Sequence, residues 1–200
     1  MIKKIKYCLI VISLLTFSCL NTWAINNNIL KIGDENAKVT VKVFSSLTCP
    51  HCATFHNEIF KNLNEEYIIK NKIKFEHHAF PLDLAALNAE KILRCTSGAE
   101  KSFQLLNEIY LKQNEWAVGS DIKKINKSIK ELGKKYGLDE KKMNLCLSDD
   151  KAQDQILNER IEAQKKYKIT STPTIYINEK KYDGKHKYKE FKIELNKSLN

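Results

Sequence analysis

Two cysteines separated by two residues are the strongest candidates for chemistry in this 200-residue chain, in the run Cys49-Pro50-His51-Cys52. Two thiols at that spacing can close into a small disulfide ring and exchange it with other thiols. The alternatives are a plain stabilising disulfide or half of a metal site. Zinc would need two further ligands, and His51 and His56 are poorly disposed to complete a tetrahedron with both thiols.

The elements around the motif are a strand and a helix. Apolar residues alternate before it and recur every four residues after it, which indicates a strand followed by a helix. Pro50 fits the first helical turn, where its missing N–H would have no partner. The residues that carry the two patterns are Val39, Val41 and Val43, then Phe55, Ile59 and Leu63.

A cysteine at a helix start is predicted to ionise easily. The free N–H groups and positive potential of the helix N-terminus favour a Cys49 thiolate, and His51 adds a positive charge or a hydrogen bond. A stable thiolate stabilises the reduced pair and makes the disulfide a stronger oxidant. A pKa shift of roughly three units would favour reduction by about 4 kcal/mol, on the order of 90 mV.

The N-terminus has the layout of a secretory signal peptide, predicted over residues 1–24. Met1–Lys6 is basic, and Tyr7–Leu20 is apolar but short for a membrane span. Small residues precede the expected cleavage site after Ala24. An uncleaved anchor, or lipid attachment at Cys19, remains as an alternative. Export to the periplasm leaves four cysteines in an oxidising compartment, where disulfide chemistry is expected.

Composition and charge exclude several classes. With 42% hydrophobic and 29% charged residues and only 3 Pro, the chain is neither disordered nor of low complexity. A single apolar run excludes a multi-span membrane protein. The net charge of +10 comes from lysines interleaved with acidic residues, which argues against nucleic acid as the main ligand.

The order of predicted elements is strand, helix, strand, several helices, strand, strand, helix. This pattern predicts an α/β fold with one central sheet and helices on both faces. The run of helices fits a separate lobe. We therefore expect a main domain over residues 25–82 and 168–200 and a helical insertion domain over residues 83–167.

Three features together carry a resemblance to a known family. They are the run VKVFSSLTCPHC ending at Cys52, the long helical insert, and Thr172-Pro173 before a strand. The chain resembles the DsbA family of exported thiol:disulfide oxidoreductases over nearly all of residues 29–199. The resemblance implies a thioredoxin fold with a central mixed sheet, an inserted all-helical domain and a cis peptide bond before Pro173.

The resemblance also implies roles for the motif residues. Cys49 is implied as the exposed nucleophile, Cys52 as the buried resolving thiol, and His51 as the residue that stabilises the Cys49 thiolate. Binding of substrate would use backbone pairing beside Thr172 and Pro173, together with an apolar surface near the motif.

Two positions bear on how far the resemblance holds. Val43 stands six residues before Cys49, where many relatives have a buried acid, so the acceptor for the Cys52 proton is missing or is replaced by Glu76. Cys95 and Cys146 lie in the helical insert, where some relatives carry a second disulfide. We hypothesise a structural bridge between them, the alternative being two buried free thiols.

The positions of the remaining histidines, buried or at the surface, are predicted from their sequence neighbours. His77 shares a strand face with Ile73 and Phe75, which predicts an interior position, and His78 faces the other side. His56 and His186 are predicted at the surface or at the rim of the site.

The sequence thus predicts a periplasmic enzyme that introduces disulfides into unfolded or partly folded exported proteins. A membrane DsbB-like, quinone-linked partner would reoxidise it. We expect a monomer with no cofactor, no metal and no nucleic-acid partner. A disulfide isomerase or reductase, and a Cys/His metal carrier, remain as alternatives.

Overall fold

The computed structural model describes residues 29–200, so the expected signal peptide lies outside the described residues. Within them, alternating apolar residues form the strands, because side chains on successive strand residues point to opposite faces. The strands are β1 (Leu30–Gly33), β2 (Val39–Ser45), β3 (Ile73–Ala79), β4 (Thr174–Ile177) and β5 (Lys180–Lys181). These positions agree with the strands predicted from the sequence.

The strands form one mixed sheet in the order β1-β3-β2-β4-β5. β2 and β3 run parallel, and the other neighbouring pairs are antiparallel. The register pairs Val43 with His77 between β2 and β3, and Phe44 with Thr174 between β2 and β4. The segment before β4 therefore lies beside the segment that follows β2.

A continuous helical stretch over residues 50–68 follows β2. It consists of α1 (Pro50–Thr54), a π-helical segment (Phe55–Phe60), α2 (Lys61–Leu63) and a second π-helical segment (Asn64–Ile68). Its predicted apolar stripe is buried, with Phe55, Ile59 and Leu63 each at most 2% exposed. The stripe packs this first helix against the sheet face that carries Val41, Val43 and Phe75.

Six helices connect β3 to β4. Aspartates cap four of them by accepting a backbone N–H at the helix start, which satisfies groups that lack a partner in the helix. The six are α3 (Leu84–Arg94), α4 (Ala99–Leu111), α5 (Gln113–Trp116), α6 (Ile122–Lys134), α7 (Glu140–Leu147) and α8 (Asp150–Tyr167). The short α5 was not predicted, and α9 (Tyr188–Leu199) closes the chain as expected.

The sheet is covered on both faces. The larger core fills the space between one face, the first helix and α4, where Phe60 stacks on Phe103 and both rings contact Phe75 at an angle. On the opposite face a smaller cluster includes Phe44 and Tyr176. This arrangement confirms the predicted α/β class, whereas the domain boundaries at residues 83 and 167 stay a prediction. None of the helices within residues 29–200 has the length and apolarity needed to cross a membrane.

A disulfide joins Cys95, at the end of α3, to Cys146 in α7. Both residues are buried, and their Cα atoms are 6.2 Å apart. The bond therefore ties two helices of the insert together across 51 residues of sequence.

Candidate active site

The motif cysteines lie at the start of the first helix, just after the short loop that follows β2. Cys49 is the N-cap of α1, in an extended conformation, and its carbonyl accepts the N–H groups of Cys52 and Ala53. Both motif cysteines are free thiols. Cys49 is 8% exposed and Cys52 is 1% exposed, so Cys49 is the more accessible sulfur. Pro50 and His51 are exposed beside it.

The segment before β4 contacts Cys49 from the other side. The Thr172–Pro173 peptide bond is cis. The Cys49 thiol donates a hydrogen bond of 3.4 Å to the Thr172 carbonyl oxygen. The structure thus brings together Cys49, Cys52, Thr172 and Pro173, which the sequence separates by about 120 residues.

The two thiols have opposite acidities. A hydrogen bond from the Cys52 side chain is the largest cause that lowers the pKa of Cys49, from 9.0 to about 5, against the opposing effect of burial. Further contributions come from Thr172 and from the backbone N–H groups of Cys52 and His51. Burial, followed by the neighbouring Cys49 sulfur, raises the pKa of the Cys52 thiol far above its ordinary value. Near neutral pH the pair is therefore a thiolate beside a protonated thiol.

Contacts from the insert hold the loop that carries Cys49. The Thr48 hydroxyl donates to the Asp83 carboxylate at 2.7 Å, and the Leu82 N–H donates to the Ser46 hydroxyl at 3.3 Å. On the other side, the Gln113 amide donates to the carbonyls of Leu47 and Cys49. These contacts were not predicted from the sequence, although Asp83 just before an apolar periodic run is a recognisable helix-cap signal.

A buried ionic network lies under the same end of the sheet. His77 Nε2 is 2.6 Å from Glu90 Oε1, and His77 Nδ1 is 3.2 Å from the Ser45 hydroxyl. The prediction that His77 is an interior histidine with partners is therefore confirmed. Arg94 lies 3.8 Å from Glu90 and also pairs with Glu159.

Glu76 does not replace the missing acid at Val43. Its carboxylate pairs with His78 at 3.0 Å, on the sheet face opposite the one that packs on Cys52. His78 stacks there on Phe44, with ring centroids 4.6 Å apart. The sheet therefore separates Glu76 from the resolving thiol.

The predicted surface position of His56 is wrong, because only 5% of it is exposed. Its ring stacks on Phe60 and hydrogen-bonds to Asn107. Burial lowers the pKa of His56 to about 3, so it is neutral at physiological pH. His186 is exposed as predicted, and its pKa is lowered by partial burial and then by the charge of His51.

Over the part of the chain that the structure describes, no group of three or more His, Cys, Asp or Glu side chains is placed to hold a metal ion. The chemistry that the site itself offers is sulfur exchange. A Cys49 thiolate can attack a disulfide, and an oxidised Cys49–Cys52 pair can be attacked at Cys49 by a substrate thiolate.

Known proteins are similar to this chain in sequence and in architecture. A family model described as thioredoxin matches residues 26–197. A Rickettsia bellii protein named as a protein-disulfide oxidoreductase is 33% identical over 158 residues, which cover 78% of this chain and 60% of that protein. The chain thus spans about three-fifths of that relative. Disulfide bond formation protein D of Bacillus subtilis is 27% identical and is covered to 76%.

Solved structures give the same result. The Wolbachia pipientis alpha-DsbA1 structure superposes with a TM-score of 0.79 at 26% identity, over 86% of this chain and 91% of that one. Oxidised BdbD from Bacillus subtilis, at 21% identity, has the same fold with a TM-score of 0.75, over 88% of this chain and 95% of that one. These matches confirm the thioredoxin fold with a helical insertion. Because a thioredoxin family model covers nearly the whole chain, the chain belongs to the thioredoxin family, and within it the chain is similar to a solved DsbA structure over nearly its whole length.

Proposed function

We propose that the protein introduces disulfides into exported proteins through Cys49 and Cys52. The observation that carries the proposal is the opposite acidity of the two sulfurs, with the pKa of Cys49 lowered to about 5 and that of Cys52 raised. Stabilising the Cys49 thiolate stabilises the reduced enzyme, so the oxidised pair is driven to accept electrons. The names of the relatives support the same chemistry.

The reaction proceeds by two exchanges. A substrate thiolate attacks Cys49 Sγ of the oxidised pair, the Cys49–Cys52 bond breaks, and Cys52 leaves as a thiolate. The raised pKa of Cys52 makes it take up a proton, which removes it as a competing nucleophile. A second substrate thiolate then attacks the substrate sulfur of the mixed disulfide and releases Cys49 as a stable thiolate. Two electrons pass from the substrate dithiol to the enzyme.

Each motif residue has a proposed role in this cycle. Cys49 is the nucleophilic sulfur, Cys52 is the resolving sulfur, and Pro50 and His51 shape and charge the helix start. Thr172 and Pro173 would pair with the substrate backbone. The bridge between Cys95 and Cys146 would stabilise the helical insertion domain, which we assign to residues 83–167 between the two parts of the thioredoxin-like domain.

Unfolded substrates fit the surroundings of the motif. Leu82 and Leu84 are 49% and 54% exposed on either side of Asp83, which is hydrogen-bonded to the loop before Cys49. Exposed apolar side chains beside a reactive sulfur favour chains whose own apolar residues are not yet buried. We place the enzyme in the periplasm as a monomer, reoxidised by a membrane DsbB-like, quinone-linked partner.

Equilibrium of the protein with glutathione buffers tests this function. We expect a Cys49–Cys52 potential well above about −200 mV, in the range of oxidising members of the superfamily. The reduced and oxidised fractions can be counted by alkylation and mass spectrometry. A potential near about −270 mV, where thioredoxin lies, would instead assign the protein as a reductase. Tight, stoichiometric metal binding without exchange would assign it as a carrier.

The pH dependence of stability provides an independent prediction for the reduced form. Cys49 has a pKa of about 5 when folded and an ordinary value near 9.0 when unfolded, so the unfolded chain binds more protons between these values. The stability of the reduced form relative to the oxidised form should therefore increase as the pH rises from 5 to 8, and should be lost as the pH falls through 5.

Denaturant unfolding of both redox forms at several pH values measures this difference. The Cys49→Ser variant cannot form the motif disulfide and has no thiol at this position to ionise, so it is the control for the reduced form: its unfolding free energy should lack the rise with pH that Cys49 causes. A difference that stays constant with pH in the wild type would show that Cys49 has an ordinary pKa, against the proposed oxidase.

A further inference from the structure

Gln113 lies at the boundary between the helical insert and the loop that carries Cys49. It is the first residue of α5 and is only 6% exposed. Its Nε2 donates to the Leu47 carbonyl at 2.8 Å and to the Cys49 carbonyl at 3.1 Å. A carbonyl oxygen only accepts, so both bonds require the two protons of an amide nitrogen. Glutamate, methionine or leucine could not make this pair of contacts at neutral pH.

The two carbonyls belong to the turn that sets the position of the nucleophile. Cys49 N–H donates to the Ser46 carbonyl at 3.1 Å, which closes a turn with Leu47 inside it. The Cys49 carbonyl also accepts the first two N–H groups of the helix, from Cys52 and Ala53. Gln113 therefore contacts the turn and the helix start at the same time.

The amide itself is held in place by the insert. Trp116, one turn further along α5, is 2% exposed, and its indole N–H donates to the Ile109 carbonyl of α4 at 2.8 Å. This contact fixes α5 on α4. The backbone that carries Gln113 is therefore anchored by the packing of the insert.

We propose that Gln113 is a positioning residue of the exchange reaction, through which the insert holds the turn and the helix start that orient Cys49. The backbone N–H groups of Cys52 and His51 help to lower the pKa of Cys49, and their direction follows from the orientation of the Cys49 peptide. Without Gln113, the Leu47 and Cys49 carbonyls lose a buried donor, and the loop is held less firmly, by the contacts of Ser46 with Leu82 and of Thr48 with Asp83. The inference concerns sulfur exchange in general and holds whether the enzyme oxidises, reduces or isomerises disulfides.

Titration of Cys49 in Gln113→Met and Gln113→Asn tests the proposal. Methionine keeps the length without donors, and asparagine keeps the donors but is too short to reach both carbonyls. The ultraviolet absorbance of the thiolate follows Cys49 in the reduced protein. We expect the Cys49 pKa to rise by about half a unit to one unit, which lowers the thiolate fraction at pH 5 by a factor of about two to six. Alkylation by iodoacetamide at pH 5 should slow by the same factor.

Ser102→Ala is the matched control. Ser102 is 3% exposed in the insert and hydrogen-bonds to Thr96 and Gly98, away from the loop. Its loss should lower the stability without moving the Cys49 pKa. An unchanged Cys49 pKa in both Gln113 variants, or an equal shift in Ser102→Ala, would overturn the proposal. An ordinary Cys49 pKa in the wild type would instead contradict the proposed oxidase function, and the shifts between variants would still test Gln113.

Discussion

Replacing Cys49 with serine should abolish exchange, whereas replacing Cys52 with serine should leave a protein that captures substrates and cannot release them. Cys49 is the sulfur with the lowered pKa, and a serine hydroxyl does not form a nucleophilic anion near neutral pH. In Cys52→Ser the Cys49 thiolate still attacks a disulfide, but no internal thiol resolves the product. Oxidation of a two-cysteine peptide should fall to the level without protein in both variants.

The two variants are separated by their covalent adducts. Non-reducing electrophoresis should show mixed disulfides with added disulfide substrates for Cys52→Ser and none for Cys49→Ser. The double variant Cys95→Ser with Cys146→Ser is the control, because the two sulfurs that it removes lie in the insert and should not be needed for exchange. Adducts through Cys52 in the Cys49→Ser protein would reverse the assigned roles.

The strands and the motif were predictable from local pattern. Val39, Val41 and Val43 alternate because one face of β2 packs on the first helix, and the same alternation marks β3. Cys49 at the helix start follows from the proline after it. Such features depend on near neighbours in sequence, and so a single chain is enough to read them.

Positions decided by distant partners were harder to predict. Gln113 stands between Lys112 and Asn114, a polar run that is typical of a surface, and its burial depends on Leu47 and Cys49 in the loop. His56 stands between Phe55 and Asn57, and its partner Asn107 is 51 residues away in the sequence. Neither contact leaves a periodic signal, since each depends on how α4 and α5 pack on the first helix.

The position of Glu76 could have been read more closely from the sequence. Once His77 and Phe75 are assigned to the inner face of β3, strand alternation puts Glu76 on the other face. The structure has that arrangement, with Glu76 paired to His78. An acid next to an inward-facing residue on a strand therefore does not reach the space behind Cys52.

Replacing Glu90 should destabilise the protein by about 3–5 kcal/mol, the usual cost of removing one member of a buried ionic pair. Glu90 is 1% exposed between His77 and Arg94. Although burial alone would raise the pKa of Glu90, the charges of His77 and Arg94 lower it overall, so the carboxylate is ionised in the folded protein. Without the Glu90 carboxylate, His77 loses its acidic partner, and Arg94 keeps only its ion pair with Glu159 among those that the structure describes.

Glu90→Leu and Glu90→Gln separate the charge from the hydrogen bond. Glutamine keeps a hydrogen-bonding group near His77 but removes the negative charge, so we expect Glu90→Gln to lose less stability than Glu90→Leu. Urea unfolding of the oxidised proteins measures both losses, with Glu131→Gln as an exposed control whose midpoint should stay close to that of the wild type. A loss below about 1 kcal/mol in Glu90→Leu would mean that the carboxylate gains little from its partners once the cost of burying it is included. The network under the end of β2 would then serve the fold no better than an apolar core of the same shape.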